Sequence, residues 1–109
     1  MATLYITEYD NIAIMPNTMG QVPEEPPIAE QTVAITSGSI QSAAFHPKTR
    51  CVRLHCDAIC SVLFGFVINN PTVTTGSGRM VAGQTEFRGV PENNGVIERQ
   101  MQVAVIANV

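Results

Sequence analysis

The side chains able to do covalent or metal chemistry are few, and most of them sit in one stretch. Cys51, Cys56 and Cys60 follow each other as C-x4-C-x3-C, with Arg53, His55 and Asp57 among them and His46 just upstream. A structural zinc site wants four tetrahedral ligands, commonly delivered in C-x-x-C pairs, and that pairing is missing. Cys56 and Cys60 fall on the apolar side of the local pattern, where a free thiol packs as a small hydrophobe. Reduced, buried thiols are the resulting expectation, in keeping with an odd cysteine count. A Cys-His nucleophile pair can be drawn between Cys51 and His55, but four residues of strand hold them about 13 Å apart. A metal site of the cupin kind would need several histidines and a carboxylate converging on one barrel mouth, and only His46 and His55 are present.

The remaining candidates are weaker. Glu24 and Glu25 are adjacent, so on an extended chain they point to opposite sides and cannot share an acid-base role. Gly76-Ser77-Gly78 followed by Arg79 has the glycines of a phosphate loop but neither its lysine nor a strand-loop-helix setting. Arg50, Arg53, Arg79, Arg88 and Arg99 are dispersed among acids, as interface arginines or ordinary solubilising charges would be. No catalytic residue, metal or cofactor is expected.

The elements that position these groups read as strands. From Arg50 the even positions run Val52, Leu54, Cys56, Ala58, Cys60, Val62 and Phe64, against Cys51, Arg53, His55 and Asp57 on the odd, polar side, which is the period of a half-buried strand. Asp57 marks a turn between two strands, so a hairpin over 50–66 is predicted at the centre of the core. Leu4, Ile6 and Glu8 alternate with Tyr5, Thr7 and Tyr9 in a first strand expected at the periphery, followed by an irregular excursion over 10–21. Three prolines in Val22–Ile28 predict an extended strap outside any central ladder.

Ala29–Thr36 alternates again, with Val33 and Ile35 inward; Ser37–Ser39 turns the chain, and Ile40–Phe45 is a short strand. Val67–Gly78 reads as an exposed polar loop, and 79–82 with 84–88 as two short strands or one strand kinked at Gly83. Asn94-Gly95 suits a tight hairpin connection, and 100–107 is the last strand. About eight strands joined by short links make a single domain over 1–109: all-β, an antiparallel two-sheet sandwich or small barrel, including jelly-roll forms.

Composition narrows the function. Six Lys and Arg in 109 residues, a net charge of −3 and a 14% charged fraction argue against a nucleic-acid partner. Low charge beside 45% hydrophobic residues predicts that part of the exterior is covered by self-association or docking. No apolar run is long enough to span a bilayer, and 1–8 has neither the basic start nor the apolar stretch of a signal peptide, so synthesis and retention in a cytoplasm are expected.

The segments Leu4-Tyr-Ile-Thr-Glu-Tyr9, Glu25-Pro-Pro-Ile-Ala-Glu-Gln31, Gln41-Ser-Ala-Ala-Phe45, Val52-Arg-Leu-His-Cys-Asp-Ala-Ile-Cys60 and Ala82-Gly-Gln-Thr-Glu-Phe87 cover much of the chain in order. Together they resemble the small accessory virion proteins of tailed bacteriophages and prophages. The resemblance implies a head decoration or cement protein, forming a homo-oligomer, a trimer by preference, on the major capsid protein at the capsid surface. Under that reading the candidate contact residues are Leu4, Tyr5, Tyr9, Pro23, Pro26, Pro27, Ile28, Arg53 and His55. Two other classes are distinguishable by experiment: a cupin-like enzyme or carbohydrate-binding domain, which needs a polar ligand-bearing concavity, and a monomeric host-directed regulatory binder.

Overall fold

The computed structural model describes residues 2–10, 12–14, 21–23 and 26–108; of 12–14 and 21–23 only the backbone is described. Ten strands are present among these residues: β1 (Thr3–Tyr9), β2 (Ile12–Ile14), β3 (Gln21–Pro23), β4 (Ala29–Ala34), β5 (Ile40–Gln41), β6 (Cys51–Cys56), β7 (Cys60–Phe66), β8 (Gly78–Met80), β9 (Thr85–Gly89) and β10 (Met101–Ala107). Two 3-10 turns, Val67–Asn69 and Ile97–Arg99, are the only helical pieces described.

Two four-stranded antiparallel sheets pack face to face, with orders β4-β1-β6-β9 and β5-β10-β7-β8, and β2 pairs with β3 apart from both. Counted from β4, with β1 taken last, the sheets read first-eighth-third-sixth and second-seventh-fourth-fifth. This is the neighbour order of a jelly roll, with β1 in the place of the eighth strand.

Alternation decides what each strand buries. Leu4 and Ile6 of β1, Val33 of β4, and Val52, Leu54 and Cys56 of β6 meet Cys60 and Val62 of β7, Met80 of β8 and Val103 and Val105 of β10 in one apolar core. Burying each such side chain contributes about 1.5–3 kcal/mol. Val33 and Ile35 are inward, as the alternation predicts.

Several expectations are corrected. β6 and β7 do not pair as a hairpin: both edges of β6 are taken, by β1 and β9, and the chain crosses at 57–59 to the opposite sheet. Asp57 secures the crossing by accepting the Thr3 N–H at 2.6 Å. Crossing sets the apolar sides of the two strands face to face across the core, where a hairpin would lay them side by side. β1 is therefore central rather than peripheral. Cys51 keeps the side it shares with Arg53 and His55, as expected, yet is buried there opposite Tyr9.

Asn94 and Gly95 do form a tight turn, with φ of 51° and 82°, and the Val96 N–H donates back to the Asn93 carbonyl. That turn joins no hairpin, because the strands on either side, β9 and β10, belong to different sheets. Ile40–Phe45 is strand only at Ile40–Gln41. β2 in the expected irregular stretch and β3, which runs from its last residue into the strap, make a small ladder apart from both sheets; residues 11, 15–20 and 24–25 lie outside the described residues, Glu24 and Glu25 among them.

The expected free loop after Phe66 also turns out differently. Residues 70–77 run across the outside of the β5-β10-β7-β8 sheet, where Pro71 seats on Gly65 and Val73 is buried. The Gln41 side chain donates to the Pro71 carbonyl at 2.6 Å, the Val73 N–H to Ser39 Oγ at 3.1 Å, and Asn108 Nδ2 to the Thr75 carbonyl at 3.2 Å. Small outward residues, Ser61, Gly65 and Ala104, leave the trough that this segment fills. Among the described residues the outer face of the other sheet is open to solvent around Tyr5, Thr32, Thr85 and Phe87, while Tyr9 and Cys51 at one end of the same side are buried.

Candidate functional site

The open face is built by register. Across β4, β1, β6 and β9, Thr32, Tyr5, His55 and Thr85 stand opposite one another in one row. The next outward row is Glu30, Thr7, Arg53 and Phe87. The side chains point outward because their neighbours Leu4, Ile6, Val52 and Leu54 are fixed inward by the core, and a strand alternates. Sheet geometry thus gathers groups from three separate segments of the chain, β1, β4 and β6, into a shallow basin of about 730 Å3, lined by Tyr5, Thr7, Glu30, Thr32, Arg53 and His55 among others, with Thr85 and Phe87 of β9 beside it.

Polar groups in the basin are partly held and partly free. His55 Nδ1 and Thr85 Oγ1 are hydrogen-bonded at 2.8 Å, which fixes the imidazole and leaves Nε2 without a partner among the described residues. The Tyr5 ring lies against the imidazole, with centroids 6.2 Å apart and planes tilted by 44°. Arg88 pairs with Glu86 at 3.3 Å and Arg50 reaches Glu92 at 3.5 Å, whereas Arg53 and Glu30 have no ion pair among the described residues. Tyr5 is 45% exposed and Phe87 54%, so two aromatic rings face solvent on the same sheet.

No protein-family model, curated protein or solved structure matches this chain. Function is therefore argued from the arrangement of its own residues.

The candidate contact residues separate into groups. Tyr5, Arg53 and His55 come together on the open face. Leu4 and Tyr9 are inside the protein at 0% and 5% exposure, and Leu4 is a core residue with no surface to offer a partner. Pro26 is exposed and Pro27 and Ile28 are half-buried just before β4, where the Ile28 N–H donates to the Glu8 carbonyl at 2.8 Å. Pro23 closes β3, and its side chain lies outside the described residues.

The two histidines are not brought together. His46 sits in the turn before β6, where its Nδ1 accepts the Lys48 N–H, and among the described residues no three His, Cys, Asp or Glu side chains converge as a metal ion would need. Cys51, Cys56 and Cys60 are free and buried. Burial, reinforced by the neighbouring Cys56 thiol, pushes the Cys60 thiol up to about 12, and burial raises Cys51 as well. Thiols held protonated in this way are poor nucleophiles and poor ligands.

Sequence reasoning missed a second surface, at the end of the sandwich opposite the 57–59 crossing. Phe66 and Ile68, beside the first 3-10 turn, and Val96 and Ile97, beside the second, are all exposed, and the two turns pack together where the Val67 N–H donates to the Gln100 carbonyl. The signal available in the sequence was weak: Phe66 stands at the very end of an alternating run, and Ile68, Val96 and Ile97 belong to none, so no face could be assigned to them.

Proposed function

We propose that this chain is a structural accessory protein of a bacteriophage particle, a head decoration or cement protein that self-associates as a trimer and docks on the major capsid protein. The reading is carried by the apolar end of the sandwich, where Ile68 and Ile97 are 56% and 64% exposed beside Phe66 and Val96. A cluster of large apolar side chains in a chain with 14% charged residues is the mark of a surface that is covered in use. The strap residues Pro26–Ile28 lie at the same end, near the last residues of β1. The jelly-roll order gives fold-level support, since capsid domains share it, and the resemblance read from the sequence is the other ground for it.

Light scattering coupled to sizing chromatography tests self-association: a stable trimer is expected, and a clean monomer at every concentration counts against the reading. Proteomics of purified particles tests the docking, with the chain expected in stoichiometric proportion to the major capsid protein.

A further inference from the structure

The face of Tyr5, Arg53, His55 and Phe87 is distinct from the apolar end and has a different chemistry. Two exposed aromatic rings stand at its diagonal, two strands and one outward row apart, which places them about 12 Å from each other. Between and beside them lie planar hydrogen-bonding groups whose capacity is unspent among the described residues: the Arg53 guanidinium, the Glu30 carboxylate and His55 Nε2. We propose that this face binds a neutral oligosaccharide, a function independent of how the chain docks on a particle.

The chemistry of the ligand follows from the groups. A pyranose ring has an apolar C–H face that lies on an aromatic ring and a rim of hydroxyls that both donate and accept. Arg53 donates only, Glu30 accepts only, and they stand on either side of Thr7 in one row, so hydroxyls on opposite edges of a sugar find a donor on one side and an acceptor on the other. One positive and one negative side chain leave the row without net charge, which disfavours a polyanion and rules against a phosphate backbone. Two platforms separated by more than one sugar ring call for a chain of several sugars. The basin is open and shallow, as a site on the flank of a polymer is, and the residues lining it are held by two layers of strands rather than by a loop.

An NMR titration of the 15N-labelled chain tests this, with neutral hexasaccharides of glucose, xylose, mannose and N-acetylglucosamine as probes and an oligogalacturonate as the anionic comparison. At least one neutral probe is expected to shift amides of β1, β4, β6 and β9 together. Tyr5→Ala and Phe87→Ala, each checked for a native-like amide spectrum, are expected to weaken binding about tenfold, and Ile97→Ser at the apolar end to leave it unchanged. Should Tyr5→Ala fail to fold, Phe87→Ser provides the same reading from an edge strand. The proposal is overturned if no neutral probe binds at millimolar concentration, if the shifts lie elsewhere, if the aromatic variants bind as the native chain does, or if the anionic probe binds best. It is equally overturned if Tyr5→Ala abolishes self-association, because the face is then a subunit contact.

Discussion

Glu8 Oε1 accepts the Thr49 hydroxyl at 2.7 Å, and both residues are inside the protein. The same oxygen accepts the His46 backbone N–H at 2.8 Å, and Oε2 lies 3.4 Å from Gln31 Nε2. A carboxylate on the inward side of β1 therefore holds the 46–49 turn that feeds β6, and it closes one end of the sandwich. Replacing it with alanine leaves a buried hydroxyl and a backbone N–H without their acceptor. Glu8→Ala is expected to cost about 2–4 kcal/mol and to lower the melting temperature by roughly 10–20 °C. Glu8→Gln keeps an acceptor oxygen and should lose less. A melt of the alanine variant within a few degrees of the native chain would show that the turn stands without the carboxylate.

Gly65 is where the covering segment touches its sheet most closely. A Cβ at this position would lie 2.8 Å from Pro71 Cβ, a distance that side chains do not adopt. Gly65→Val is expected to lift residues 70–77 off the sheet, costing about 1–3 kcal/mol and speeding amide exchange at Val73. Pairing it with Pro71→Gly removes the obstructing atom, so the double variant should lose less than the sum of the singles. Strict additivity in denaturant unfolding would mean that the two residues are not in contact.

These two relationships mark the limit of what was legible in the sequence. The strands β4, β6, β7 and β10 were readable because period-two alternation of Val, Ile, Leu and Cys is a local signal. Their pairing was not local. A strand that turns back and a strand that crosses to the facing sheet both put Leu54 and Val62 into the core, so alternation alone could not tell the crossing at Asp57 from a hairpin. Nothing local marked Glu8 as a buried carboxylate, because Thr49, the partner that justifies its burial, is 41 positions away. On the open face, Tyr5, Arg53 and His55 could be named from strand sidedness, whereas Glu30, Thr85 and Phe87 join them only through the register of β4 and β9.

The Cys60 thiol gives the fold a dependence on alkaline pH. Burial and the adjacent Cys56 raise it from about 9 to about 12, so the folded state favours the neutral thiol more than the unfolded chain does. For a raised group the contribution is fully present below the unfolded value and is lost as pH climbs through the folded one. Stability should therefore be insensitive to this group up to about pH 9 and should fall between there and about pH 12. Because tyrosines and lysines titrate in the same range, the measurement is the difference between native and Cys60→Val unfolding free energies across that window. A difference that does not change with pH would show that the thiol is not shielded as its surroundings indicate. Iodoacetamide at mildly alkaline pH should likewise leave Cys60 unmodified in the folded chain and label it once denatured.

The apolar end makes the sharpest prediction about assembly. Ile97 and Ile68 contribute little to the fold of a single chain because each is more than half exposed, so replacing either with a charged residue should change the stability of the isolated domain by no more than about 0.5 kcal/mol. In an assembled trimer the same substitution buries an unpaired charge against apolar neighbours, which costs several kcal/mol at an interface. Ile97→Asp is accordingly expected to yield the mass of one chain by light scattering under conditions where the native protein is trimeric, while its circular dichroism spectrum and thermal midpoint, extrapolated to low concentration, remain native. Ile97→Val, which keeps the apolar surface, should stay assembled. If the aspartate variant associates as the native protein does, the contacts between copies lie elsewhere.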